Sequence, residues 1–128
     1  MLNVLVIEND DLIAMLLGQI LELLGHRVCA TAATQAEAVS AVREYKPDLL
    51  IVDGALDEGS GISAVEEILR TASCPYLFLS GDPGSIRARM PGAIIVSKPF
   101  HEADLVWAIA CALDADAPVR QSVGARRY

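Results

Sequence analysis

The chain is poor in aromatic residues and in positive charge, and each shortage narrows what it can be. Aromatics make up 5% of its 128 residues, against 53% hydrophobic residues overall. The core must then be aliphatic, built from Leu, Ile, Val and Ala. That suits a parallel sheet covered by helices better than an aromatic-rich β-sandwich. Lys and Arg number 10 against 17 Asp and Glu, a formal net charge of -7. Such a surface argues against nucleic acid or an anionic membrane as a partner for the bulk of the domain, and leaves cations attracted to any cluster of carboxylates.

Cysteine is scarce too. Cys29, Cys74 and Cys111 lie far apart, with no CxxC or Cys/His spacing. A metal site or redox motif of that kind is not expected. An odd count without a leader points to a reducing cytoplasm, with the thiols acting as small buried hydrophobes. No basic leader precedes the first strand, so no signal peptide is expected. The most apolar region, Leu12 to Leu24, is broken by Gly18, Gln19 and Glu22. It is too short and too interrupted to span a bilayer. Internal repeats and a P-loop are also missing.

What the chain has is a short alternation of strand and helix signals. "LNVLVI" from Leu2 is an apolar run that reads as a buried strand. "DLIAMLLGQILELL" follows as a helix, with Ile13, Leu17, Ile20 and Leu24 at helical spacing and Gly25 as the stop. "HRVCAT" reads as a weaker strand near the edge. "TQAEAVSAVREY" is a helix whose Thr34 and Glu37 have capping-box spacing, with Ala38, Val39 and Val42 facing inward and Pro47 beyond its end. "DLLIVD" is the clearest buried strand, and "ISAVEEILRTA" the third helix. "PYLFLS" and "AIIVS" are the fourth and fifth strands. The Gly- and Pro-rich "GDPGSIRARMPG" between them leaves room for only a short, weak helix. "HEADLVWAIACAL" closes the series. Five strand–helix units of this kind predict an α/β fold with a parallel sheet and right-handed crossovers, helices covering both faces.

In open parallel sheets, ligands bind beyond the carboxyl ends of the strands, where strand order reverses. The first strand presents Glu8, Asn9 and Asp10 there; the third presents Asp53; the fourth presents Ser80, then Gly81 and Asp82; the fifth presents Ser97, Lys98 and Pro99. Taken singly, these are ordinary residues. Asp10 or Asp11 reads equally well as the cap of the first helix. As an ordered set they describe one site. Crowded carboxylates need a cation, and a hard divalent ion such as Mg²⁺ takes oxygen ligands. Lys98 and Ser80 can meet the remaining anionic oxygen. Asp53, set among a metal, an ammonium and a hydroxyl, is arranged to attack phosphorus and become an aspartyl phosphate.

The motifs "VIEND", "PDLLIVDGALDEGSG", "FLSG" and "VSKPF", in this order, resemble those of the receiver domain of two-component response regulators. The likeness spans about Leu2 to Leu113. It implies a three-layer, doubly wound, flavodoxin-like (βα)5 fold with strand order 2-1-3-4-5, a receiver domain over 1–114 and a polar tail over 115–128 that is expected to be disordered. It also implies a bacterial, cytoplasmic, non-enzymatic phosphoprotein of a phosphorelay, phosphorylated on Asp53 by a histidine kinase or a phosphotransfer protein. By the same resemblance, Glu8, Asn9, Asp53 and the backbone carbonyl of Ala55 would hold Mg²⁺. Ser80 and Lys98 would bind the phosphoryl group, and the Lys98–Pro99 bond would be cis.

The sequence departs from that pattern at several places. Asn9 takes the place of an acid, so Mg²⁺ binding is expected to be weak. Asp57 follows the phosphorylation site where proline is frequent. Ile95 stands at the switch position in place of Tyr or Phe, and an aliphatic side chain has no ring to swing. The chain ends soon after the fifth helix, so output is expected through protein contact or relay to an unknown downstream protein, and homodimerisation is open to it. Leu12, Met15, Leu16 and Leu23 lie beyond the inner face of the first helix, either as a docking surface or as a wider core contact. Trp107 is an interface anchor or a ring half-buried by its own helix. Arg120, Arg126 and Arg127 make a basic tail. The alternative to a phosphorylated regulator is a receiver-like binding module that works without phosphorylation.

Overall fold

A computed structural model describes residues 1–56 and 59–114. Asp57 and the tail over 115–128, with its three arginines, lie outside the described residues. The elements alternate throughout: β1 (Asn3–Ile7), α1 (Asp11–Leu23), β2 (Arg27–Ala32), α2 (Gln35–Tyr45), β3 (Leu49–Asp53), α3 (Gly61–Thr71), β4 (Tyr76–Ser80), α4 (Pro83–Arg89), β5 (Ile95–Ser97) and α5 (Glu102–Leu113). The five strands form one parallel sheet in the order β2-β1-β3-β4-β5. This is the three-layer, doubly wound fold that the sequence predicts.

The apolar runs follow from burial on both faces of the sheet. Side chains alternate along a strand, so each run feeds two cores. Leu5, Ile7, Leu50, Val52 and Phe78 point to the layer formed by α2, α3 and Ile86 of α4. Val4, Val6, Leu49, Ile51, Leu77 and Leu79 point to the layer formed by α1 and α5. The three central strands are therefore rigid supports for whatever their carboxyl ends carry.

Three helical details differ from the expectation. Helix α1 buries Ala14, Leu17 and Leu21, while Ile13 and Ile20 only flank that contact and Leu24 is the half-buried C-cap. The buried stripe therefore runs through Ala14, Leu17 and Leu21. In α2, Ala41 joins Ala38 and Val42 in the core and Val39 is half-buried. Thr34 Oγ1 accepts from the Glu37 amide at 3.2 Å, but Glu37 Oε1 reaches past the cap to accept from the Ala33 amide at 2.8 Å. Strand β5 holds only Ile95–Ser97, shorter than "AIIVS", because Pro91 and Gly92 delay its entry. Helix α4 is short, as expected: it runs for seven residues and buries only Ile86.

Of the cysteines, Cys74 and Cys111 are buried and Cys29 is half-buried. Trp107 is half-buried against the α1–α5 core. Among the described residues, no helix is long and apolar enough to cross a membrane.

Candidate functional site

The strand order reverses on either side of β1, with β2 on one flank and β3 on the other. The carboxyl ends of β1 and β3 thus open the crevice in which doubly wound sheets bind ligands. Glu8 follows β1, Asp53 ends β3 and Ser80 ends β4. Their relative exposures are 4%, 9% and 6%, and they are the buried polar residues of the described chain. Burying three polar side chains at one edge costs stability unless each has partners, and their partners define the site.

Lys98 supplies the positive charge. Its Nζ lies 3.5 Å from Asp53 Oδ1 and 3.8 Å from Glu8 Oε1. The Lys98 amide donates to the Ser80 carbonyl at 2.8 Å, which ties the end of β5 to the end of β4 and fixes where the ammonium starts. The Lys98–Pro99 bond is cis, as expected. Asp53 Oδ1 also accepts from the Ala55 amide at 3.1 Å. Ser80 Oγ accepts from the Asp82 amide at 2.9 Å, so its hydroxyl proton can be donated elsewhere.

Glu8 is the group under most stress. Oε2 accepts from the Asp10 amide at 3.1 Å, while Oε1 is buried without a hydrogen-bond donor. Burial first, then a shared hydrogen bond with the Asp53 side chain, pushes the Glu8 carboxyl up to about 7. The Asp10 amide and the Lys98 ammonium oppose that shift and do not cancel it. Two buried acids side by side, one with an orphaned oxygen, are suited to a hard divalent ion. The donor set is sparse: among the described residues, no group of three or more His, Cys, Asp or Glu could hold a metal. Asn9, half-buried beside Glu8, is the reason the acid count stops short.

The other expected residues fall into place around this core. Asp10 is exposed, and its Oδ1 caps α1 by accepting from the Leu12 and Ile13 amides at 2.9 and 3.3 Å. It contributes its backbone to the site, not its charge. Gly81 and Asp82 are exposed at the start of α4, and Asp82 makes no side-chain cap bond. Ala55 is exposed at the start of the loop after β3. Ile95 is half-buried against the α2–α3 core.

The sequence reading missed the residues that close this loop. A Cβ at Gly61 would lie 2.0 Å from the Asp53 carbonyl oxygen, so α3 starts flush against the end of β3 only because residue 61 is glycine. Gly59, at φ +80°, gives way to Gln35, whose Nε2 donates to Glu67 Oε1 at 2.9 Å. The signal was present as two glycines in "DEGSG", but their packing partners come from α2 and β3.

The family model for the response regulator receiver domain matches residues 4–110. This chain belongs to that family. The phyllosphere-induced regulator PhyR of Methylorubrum extorquens is 38% identical over 115 residues, covering 87% of this chain and 43% of that protein. The solution structure of the Erythrobacter litoralis PhyR receiver domain is 38% identical and superposes with a TM-score of 0.80, covering 88% of this chain and 89% of that one. PhyR of Bartonella quintana, solved in complex with the anti-sigma factor NepR, is 42% identical with a TM-score of 0.57, covering 60% of this chain and 32% of that one. The receiver spans about half the length of the first curated relatives it matches, at 43% and 56%.

Proposed function

We propose that this receiver takes a phosphoryl group onto Asp53 from the phosphohistidine of a kinase or phosphotransfer protein, and passes the signal on by protein contact or relay. The observation that carries the reading is Asp53 itself: a nearly buried carboxylate held 3.5 Å from Lys98 Nζ, at the strand-order reversal, with Ser80 on the neighbouring strand. A carboxylate oxygen attacks phosphorus, the P–N bond breaks, and its electron pair returns to the imidazole of the donor. Lys98 holds negative charge in place, and Ser80 donates its hydroxyl proton to a phosphoryl oxygen. Glu8, Asp53, Asn9 and the Ala55 carbonyl are the groups that would hold Mg²⁺, whose contribution when bound is to neutralise charge between carboxylate and phosphoryl oxygens.

For the output, α1 offers a surface. Leu12, Met15, Leu16 and Leu23 are 58%, 53%, 43% and 81% exposed, more than a core contact allows. They fit an apolar helix of a partner protein, and the PhyR–NepR complex makes an anti-sigma factor the partner class to test first. A second reading, a binding module that works without phosphorylation, is favoured by one feature: Asn9 leaves the metal shell short of an acid.

Incubation with acetyl phosphate or phosphoramidate and Mg²⁺, followed by intact mass, separates the two. The first reading predicts one added phosphoryl mass in the native protein and none in Asp53→Asn. An unmodified native protein, with α1 still capturing its partner, would establish the second.

A further inference from the structure

A cavity of about 590 Å³ opens at the opposite end of the sheet, between the end of α2 and the turn from α3 into β4. Along β3 alone, roughly 13 Å separate it from Asp53, at about 3.3 Å per residue. Val39, Val42 and Ile68 form apolar walls, Cys74 lies at the floor, and Arg43 and Lys46 stand at the rim. The volume falls within the range of small-molecule sites, which combine apolar walls with a few fixed polar groups.

The rim is unusual for this chain. Acids outnumber bases 17 to 10, yet two cations three residues apart flank the opening. Among the described residues the ion pairs are Arg89 with Glu66 and Lys98 with Glu8 and Asp53, so neither rim cation is held in a direct ion pair. Arg43 alone would be explained by the helix dipole, which favours a cation in the last turn of α2. Lys46 needs more. It caps α2 in the left-handed conformation at φ 47°, where glycine fits without strain. The Cys74 thiol at the floor lies 3.4 Å from the Pro47 carbonyl, and burial, reinforced by the Asp48 charge, pushes it up to about 11.

From these features we infer that the α2–α3 cavity is a binding site for a small amphipathic carboxylate, its apolar body between Val39, Val42 and Ile68 and its anionic head between Arg43 and Lys46. This site is independent of Asp53 and of the phosphorylation reading.

Octanoate, octanol and octylammonium are the probes, titrated into the full chain and followed by backbone amide NMR. Octanoate is expected to shift the amides of Lys46 and of Thr71 to Cys74 saturably, and to bind at least about tenfold tighter than octylammonium (~1.4 kcal/mol). Arg43→Gln with Lys46→Gln should remove that preference and leave octanol binding unchanged. Lys46→Gly removes the rim charge while relieving the backbone, so the fold is retained and a loss of octanoate affinity in it reports on the site. Absence of saturable shifts at these amides, equal affinity for all three probes, or octanoate binding untouched by the variants would overturn the inference.

Discussion

Two neighbouring parts of the same sheet edge differ in how firmly they are built. At the ends of β1 and β3, Glu8 and Asp53 are nearly buried, share one ammonium, and rest on strands whose side chains are enclosed on both faces. One strand further out, α4 has seven residues and a single buried side chain, β5 has three residues, and Ile95 is only half-buried. The first region carries the proposed phosphoryl chemistry. The second offers a half-buried aliphatic side chain, Ile95, and a short helix. The difference teaches that the proposed acceptor region is anchored by buried strands, whereas the α4–β5 edge is held by few buried contacts. The predictions that follow probe how independent the two regions are.

The largest effect is expected at Gly61. A methyl group there meets the Asp53 carbonyl at 2.0 Å, and backbone atoms on both sides must move. Gly61→Ala should cost more than about 3 kcal/mol in urea unfolding, at the upper end for single substitutions, and should disturb the acceptor region before α4. A loss below about 1 kcal/mol would show that the loop after β3 has slack that the packing does not reveal.

The Glu8 carboxyl gives a pH signature. Its value is raised from 4.5 to about 7, so between those values the folded state holds a proton that the unfolded chain has released. In chelator, stability should therefore fall as pH rises from about 4.5 to 7 and level off above that, by up to about 3 kcal/mol. Glu8→Gln should flatten this slope and make the metal-free protein the more stable one at pH 8. An unchanged slope in Glu8→Gln would place the titration elsewhere.

Asn9 should matter less. Asn9→Asp adds a charge to a shell that otherwise counts Glu8 and Asp53, and should tighten Mg²⁺ at least about tenfold, ~1.4 kcal/mol. It should also destabilise the metal-free protein by about 1 kcal/mol, since a third acid joins the repelling pair. Calorimetric titration and denaturation in chelator measure both. Equal Mg²⁺ affinity in the two proteins would mean that another group already supplies the charge.

The smallest effect is the one that sharpens the comparison most. Ile95→Val trims the switch position without opening a large cavity. The rate of phosphorylation by acetyl phosphate should stay within about twofold, ~0.4 kcal/mol. A tenfold fall would tie acceptance to β5 and end the separation of the two regions.

Much of this was legible in the sequence, for physical reasons. Buried parallel strands must be continuous apolar runs, so "LNVLVI", "DLLIVD" and "PYLFLS" announced themselves, and their polar termini named Glu8, Asp53 and Ser80. The exposed side of α1 was readable because Leu12, Met15, Leu16 and Leu23 fall off the inner stripe. The inner stripe itself was misplaced, because periodicity counts large apolar residues, whereas the buried stripe runs through the small Ala14. Contacts between distant segments were out of reach altogether. Nothing local in "TQAEA" places Gln35 in the hollow left by Gly59, and nothing in "VREYKP" shows that Arg43 and Lys46 border a cavity floored by Cys74. The raised Glu8 carboxyl likewise depends on burial beside Asp53, which only the assembled sheet creates.

The central claim is that Asp53 accepts the phosphoryl group, and locating that group on the chain tests it most directly. Phosphorylation with acetyl phosphate and Mg²⁺, then borohydride reduction, converts an aspartyl phosphate into homoserine, which peptide mass spectrometry assigns to a position. The account predicts homoserine at position 53 and at no other acid. Reduction product at Glu8 or Asp10, or none at position 53 in a protein that has gained a phosphoryl mass, would contradict it.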